Sequence, residues 1–424
     1  MSQCEAAESS SQLNPQVMDG KERSALDEVL RQGARQMLVQ AIEEEVSAYI
    51  EAHQHEVGED GRRLVVRNGH ARQRTIVSGA GQLKIQAPRV DDRRVDERGQ
   101  HFRFTSEILP PYLRRTKSVE ELIPWLYLKG ISTGDFSEAL ESLLGPDAPG
   151  LSATTVVRLK EVWRREYEAW SKRDLSGQRF VYIWADGIYS NVRLDDERQC
   201  LLVVMGALED GRKQLLAVHD GFRESELSWQ ELLEDLKRQG LELPPKLAVG
   251  DGAMGFWAAL RKVYPATREQ RCWLHKTANV LNKLPRSMQG KAKQALRDIY
   301  LAESRQTAED ALDRFKNLYE KKFLKAAECL EKDRQALLAF YDFPAEHWGH
   351  LRTTNPIEST FATVRLRQRR TKGCGSREAS LTMIFMLARQ AERHWRRLNG
   401  SEVIVHVLDG KEFKDGLMVQ ENAA

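Results

Sequence analysis

Phe180-Val181-Tyr182-Ile183-Trp184-Ala185-Asp186-Gly187 is an apolar run that closes on an acid and a glycine. It reads as a strand over 180–185 with a carboxylate at its end. A second run, Leu247-Ala248-Val249-Gly250-Asp251-Gly252, has the same form. Around these two, strands are predicted at 199–208, 214–219, 246–250 and 268–273. Helices are predicted at 225–239 and 254–263, with another opening near His275. The first three strands are joined by short connections and imply an antiparallel meander. The later strands are separated by helices, as in crossover units.

Three antiparallel strands followed by α-β-α-β-α is the element order of a ribonuclease H-like fold, an α/β class. That fold sets its first and fourth strands side by side, so Asp186 and Asp251 are expected to be neighbours. The next 70 residues, 276–345, hold almost no strand pattern and read as a helical insertion. After it comes Thr354-Asn355-Pro356-Ile357-Glu358-Ser359, a helix start that carries a third acid. Converging carboxylates hold hard divalent cations through oxygen ligands. Two such ions, about 3.5–4 Å apart, clamp the attacking and leaving oxygens of a phosphoryl displacement. Each acid also has an ordinary reading. Asp-Gly is a common turn dipeptide. Asn355, Pro356 and Glu358 also suit the N-cap, N1 and N3 positions of a helix. The combination of three acids in this element order carries the catalytic reading.

The 424-residue chain, 41% apolar, is long enough for two to four domains, and its net charge of +3 says little about partners. The distribution says more. Residues 1–60 carry 4 Lys/Arg against 13 Asp/Glu, and residues 61–117 carry 14 against 5. The second block fits a nucleic-acid footprint or a solvated basic face. Five scattered cysteines suggest a reducing compartment. The polar N-terminus lacks a signal-peptide pattern, and no apolar run approaches the ~20 residues of a membrane span. A cytoplasmic protein is expected.

Residues 1–20 are polar and expected to be disordered. Ser24 to about Ala52 is predicted as an amphipathic helix with Leu26, Val29, Leu30, Met37, Leu38, Ala41 and Ile42 at helical spacing. Short β-type runs between Arg62 and Pro88 suggest one small basic sheet. His53, His55 and His70 lie near it, but no cysteine does, which argues against a zinc finger. Three helices follow, at Ser118–Lys129, about 133–144, and from Ser152. Ser118 and Glu121 form a possible capping box. This resembles a helix-turn-helix element, although the linker 145–151 is longer than the usual ~3–4 residues. A plain helical bundle is the alternative. The last helices are predicted at Pro356–Arg370 and Arg377–Leu398, broken at Gly373-Cys374-Gly375, with a possible strand at Val403–Val407.

These motifs resemble the Mutator-type family of bacterial insertion-sequence transposases, which carry a DDE triad on a ribonuclease H-like core. The matching stretches are Ala185-Asp186-Gly187, Val249-Gly250-Asp251-Gly252, Arg271-Cys272-Trp273-Leu274-His275-Lys276 and Thr354-Asn355-Pro356-Ile357-Glu358-Ser359. Asn68-Gly-His-Ala-Arg72, Ile85-Gln-Ala-Pro-Arg89 and His219-Asp-Gly-Phe-Arg223-Glu224-Ser225 match as well. The resemblance spans roughly residues 25 to 400. It implies that Asp186, Asp251 and Glu358 are catalytic metal ligands for two Mg²⁺ ions, with Mn²⁺ as a substitute. It implies cleavage at terminal inverted repeats and strand transfer into target DNA, by a homo-oligomer of at least two chains. Double-stranded DNA is the expected partner and no membrane is involved.

Arg223, Cys272, His275 and Asn355 are supporting candidates. A zinc reading of Cys272 and His275 is set aside, because two ligands fall short of the four a structural site needs. Residues 361–372 carry five positive charges and no negative ones. Arg365, Arg367, Arg369, Arg370 and Lys372 are DNA-binding candidates there, with Arg72 and Arg89 in the basic block. Trp229, Trp257 and Trp273 are expected in cores rather than stacked on bases. The domain reading is 1–20 disordered; 21–117 DNA-binding helix and β segment; 118–175 helix-turn-helix-like; 176–275 and 346–400 the two parts of the core; 276–345 the insertion; 401–424 a tail. A non-catalytic DNA-binding regulator and a stand-alone nuclease are the competing functions.

Overall fold

The computed structural model describes residues 25–131, 135–144, 153–192, 198–221, 223–252, 254–371 and 373–419. The expected disorder of residues 1–20 and the linker 145–151 lie outside these. The chain divides into two units. One comprises residues up to 125 with 134–151, and the other comprises 126–133 with 152–424.

In the first unit, α1 (Ala25–Ala52) is followed by β1 (Val65–His70), β2 (Arg74–Ser78), β3 (Gly81–Ile85) and β4 (Pro88–Asp92). The strands form two antiparallel pairs, β1–β4 and β2–β3, rather than one sheet. The sequence reading missed β4, whose Pro88 and Arg89 carry no strand propensity; pairing with β1 supplies it. Ile42 of α1 packs on Ile76, Leu83, Ile85 and Leu109. Leu26, Val29, Leu30 and Met37 are exposed instead. The amphipathic spacing runs the length of the helix, but the strand pairs cover only its second half. α2 (Lys117–Leu128) starts before Ser118, which is therefore inside the helix and not its cap. α3 (Phe136–Leu144) follows.

The second unit is built on a five-stranded mixed sheet. Its strands are β5 (Phe180–Ser190), β6 (Gln199–Leu208), β7 (Lys213–Gly221), β8 (Leu247–Gly250) and β9 (Arg268–Arg271), in the order β7-β6-β5-β8-β9. β5, β6 and β7 are antiparallel neighbours, whereas β8 and β9 run parallel to β5. The expected meander and crossovers are both present. α4 (Ala153–Ser171) precedes the sheet, and α5 (Glu226–Arg238) and α6 (Met254–Val263) provide the crossovers.

Strand alternation sorts the side chains onto two cores. Ile183, Ala185, Val204 and Ala248 face a layer with Trp229, Leu233, Phe256 and Trp257 of α5 and α6. Tyr182, Trp184, Val203 and Val249 face the other core. That second core is shared with helices from the rest of the chain: α7 (Trp273–Leu281), α8 (Arg286–Tyr300), α9 (Arg305–Tyr319), α10 (Leu324–Glu331), α11 (Arg334–Leu337), α12 (Trp348–Leu351), α13 (Asn355–Thr371) and α14 (Arg377–Glu392). All three tryptophans read as core residues are fully buried. Burial of each such side chain is worth ~2–3 kcal/mol.

The expected strand at 403–407 is a helix, α15 (Ile404–Leu408). Ile404 and Val407 are buried and Val405 is exposed, which is helical spacing with no partner strand. The final long helix stops at Glu392, short of Leu398, which instead binds Gly211 through its backbone.

Candidate active site

Asp186 does not end its strand. β5 continues four residues beyond it, paired with β6, and Asp186 lies opposite Val203. What ends there is β8: Gly250, its last residue, is the partner of Ala185. Asp251 therefore leaves the sheet next to Asp186. Asp186 follows the alternation of Trp184 and belongs to the face that packs on α7–α14, while Asp251 stands one residue past the end of β8. The backbone around Asp251 is held firmly. Its carbonyl accepts from Trp257 Nε1 at 2.9 Å and Arg271 Nη1 at 2.6 Å.

Burial is costly for these acids. Burial pushes the Asp186 carboxyl up to about 7; His275 opposes that rise and Asp251 and Glu224 add to it. Glu224 is likewise pushed up to about 7 by burial, and Asp251 adds. Glu224 lies over Gly187, where a Cβ would come within 2.5 Å of its Oε1. Gly252 plays the same part for Arg271, whose Nη2 would be 2.6 Å from a Cβ. The room beside both glycines is thus filled by the protein's own side chains. The sequence reading did not single out Glu224, whose half-buried carboxyl interacts with Asp186 and Asp251. Its signal was present in the motif ahead of α5, where Ser225 caps the helix and leaves Glu224 one residue outside it. Arg223, its neighbour, has a left-handed φ of 58° and an exposed side chain. Such strain in a non-glycine residue costs on the order of 1–3 kcal/mol.

Glu358 comes from α13 on the same sheet face. The helix is entered from Thr354, not Asn355: Ile357 and Glu358 both donate to the Thr354 carbonyl. The Thr354 hydroxyl donates to Glu358 Oε1 at 2.8 Å. Thr354 N–H and Oγ1 also lie 3.3 Å from Cys272 Sγ. Cys272 is buried at the joint between β9 and α7, and its N–H donates to Gly250, extending the β8–β9 ladder by one residue. One turn into α7, His275 places Nδ1 3.9 Å from Glu358 Oε1. Its imidazole is pushed up to about 9, chiefly by the Cys272 sulfur, against burial, and with help from Asp186 and Asp251. His275 is the common electrostatic neighbour of Asp186 and Asp251, and it lies beside Glu358.

The helical insertion braces this corner. Lys276 is buried, pairs with Asp333 at the start of α11, and donates to the Cys329 carbonyl at 2.8 Å. Arg271 Nη2 reaches the same Asp333 oxygen at 3.3 Å. Trp273 Nε1 donates to the Leu337 carbonyl at 2.8 Å.

The basic candidates separate. Arg365 and Arg369 are exposed on α13, seven and eleven residues from Glu358 and on its face. Arg367 is buried, with its guanidinium 4.5 Å above the Tyr127 ring and Nε 3.0 Å from Met383 Sδ. It continues the buried row Ile357, Thr360 and Val364, so its spacing already marked it as inward. It is a packing residue here, not an exposed phosphate contact. The side chain of Arg370 and the whole of Lys372 fall outside the described residues. Arg72 and Arg89 are exposed in the first unit, and Asn355 is exposed at the start of α13.

The chain matches the family described as Transposase, Mutator family, over residues 5–398. It belongs to that family. It is 50% identical over 302 residues to the transposase for insertion sequence element IS6120 of Mycolicibacterium smegmatis, covering 71% of this chain and 93% of that protein. It is 51% identical over 287 residues to the transposase for insertion sequence element IST2 of Acidithiobacillus ferrooxidans, covering 66% and 95%. The transposase for IS905 of Lactococcus lactis is 28% identical over 341 residues, covering 80% and 82%. No described helix is long and apolar enough to cross a membrane.

Proposed function

We propose that this chain is a metal-dependent DNA transposase that cuts and joins strands at the terminal inverted repeats of an insertion sequence through Asp186, Asp251 and Glu358. The observation that carries this reading is that His275 neighbours all three acids. Asp186 and Asp251 are adjacent across β5 and β8, and His275 lies beside Glu358 while sharing its field with both aspartates. The strand order, with β5 between β6 and β8, supports a ribonuclease H-like core.

The donor set fits hard divalent cations. Asp186 is buried with another carboxylate beside it, and such a pair is stable when ionised only with a cation to balance it. Asp186, Asp251 and Glu358 would hold two Mg²⁺ or Mn²⁺ ions. When bound, these ions would supply charge stabilisation at the attacking and leaving oxygens. The protein's own part is positioning. Thr354 fixes the Glu358 carboxylate, and Arg271 with Trp257 fixes the backbone at Asp251. Exposed Arg365 and Arg369 are suited to phosphates near Glu358, and Arg72 and Arg89 to DNA contacts in the first unit. Two DNA ends must be held together, so the acting form is at least a dimer, working in the cytoplasm on nucleoid DNA. Retention of all three acids disfavours the regulator reading.

The test is a cleavage and strand-transfer assay with labelled DNA carrying the flanking inverted repeats, Mg²⁺ or Mn²⁺, and Asp186→Asn and Glu358→Gln variants. Metal-dependent nicking at the repeat boundary is expected, with at least a thousandfold loss in either variant while DNA binding survives. Full cleavage by either variant would refute the assignment.

A further inference from the structure

We propose that Cys272, His275 and Glu358 form a binding site for zinc. The spacing Cys-x-x-His offers only two ligands; the fold supplies the third from α13. Among the described residues, one ligand atom from each lies within 4.8 Å of the others. Zinc takes sulfur at about 2.3 Å and nitrogen or oxygen at about 2.0–2.2 Å, so tetrahedral ligands stand roughly 3.4–3.6 Å apart. His275 Nδ1 and Glu358 Oε1, at 3.9 Å, need to close by only about 0.5 Å.

Three further observations point to a cation here. His275 Nδ1 is a buried nitrogen with no hydrogen-bond partner. Cys272 Sγ accepts from the Thr354 N–H at 3.3 Å, a contact that orients the sulfur and favours a thiolate ligand. Glu358 Oε1 accepts from the Thr354 hydroxyl, so fully buried Thr354 orients two of the three ligands, one through its N–H and one through its hydroxyl. The His275 side chain is 35% exposed, so a cation can reach it from solvent. A zinc ligand set needs thiolate sulfur and neutral imidazole, so affinity rises with pH. Because Glu358 is shared, zinc held here withdraws a carboxylate from the proposed triad. The site itself does not depend on that reading.

The test uses Co²⁺ as a coloured probe on the chelator-treated full chain, without DNA. A thiolate-to-cobalt charge-transfer band with tetrahedral visible bands is expected, displaced by one equivalent of Zn²⁺. Cys272→Ala should abolish the charge-transfer band, and His275→Gln and Glu358→Gln should each weaken Zn²⁺ binding at least tenfold. Cys374→Ala, at the partly exposed cysteine, should leave the band intact. Absence of the band in the wild type overturns the proposal. So does a band that survives in Cys272→Ala. If that variant does not fold, unchanged Zn²⁺ affinity in His275→Gln overturns it by itself.

Discussion

The buried ion pair between Lys276 and Asp333 ties the helical insertion to the strand and helix that carry Cys272 and His275. Its removal from each side should give unequal results. Lys276→Met loses a charge-assisted bond and leaves the Cys329 carbonyl unpaired, but the new side chain is apolar and of similar length. Asp333 stays beside Arg271 at 3.3 Å and is 19% exposed. The expected cost is about 2–3 kcal/mol. Asp333→Asn leaves a buried ammonium facing Arg271 without its carboxylate. That costs about 3–5 kcal/mol, as for other broken buried pairs. The double variant should cost less than the sum, with a coupling of ~1–3 kcal/mol. Urea unfolding followed by tryptophan fluorescence reads the right unit, because eight of the nine tryptophans lie in it and only Trp125 lies in the other. If Asp333→Asn costs less than 1 kcal/mol, or less than Lys276→Met, the account of this pair is wrong.

Asp92 in the first unit is held well below the usual carboxylate range, chiefly by hydrogen bonds from Arg94, with Tyr49 also donating at 2.6 Å. Its contribution is full above about pH 4 and is lost as pH falls through the depressed value. Asp92→Asn should cost about 2–3 kcal/mol at pH 7 and flatten that acid loss, read by hydrogen exchange in α1 and β4. Glu224 has the opposite sign: its raised pKa means that stability falls as pH climbs from about 4.5 to 7 in chelator-treated protein. Glu224→Gln should remove on the order of 1–2 kcal/mol of that decline after allowance for solvent screening, seen as a flatter unfolding midpoint against pH. A Cβ at Gly255 would overlap the Glu224 carbonyl and the backbone of Ser225 and Glu226. Gly255→Ala should therefore cost about 3 kcal/mol in urea unfolding, and an unchanged midpoint would show that the two helices can separate freely.

The sequence by itself determined the strands of the five-stranded sheet and singled out Asp186, Asp251 and Glu358. Long apolar runs such as 180–185 and 199–208 can satisfy their backbones and bury their side chains only as strands between two layers. The Asp-Gly exits mark where the second run stops. The inward position of Arg367 is encoded in its spacing from Ile357 and Val364, although the charge pattern pointed to a DNA contact. Tertiary structure alone decided the rest. Whether Glu224 joined the acids depended on how α5 docks over Gly187, which no local pattern encodes. Whether Pro88–Asp92 became a strand depended on β1 offering its hydrogen bonds. Whether α1 covered its whole apolar stripe depended on how far the strand pairs reach. Cys272 and His275 fell short of a metal site as a pair because sequence spacing counts only ligands close along the chain. The third is brought in by α13 from more than eighty residues away, through packing of Ile357 and Phe361 into the core beneath the sheet.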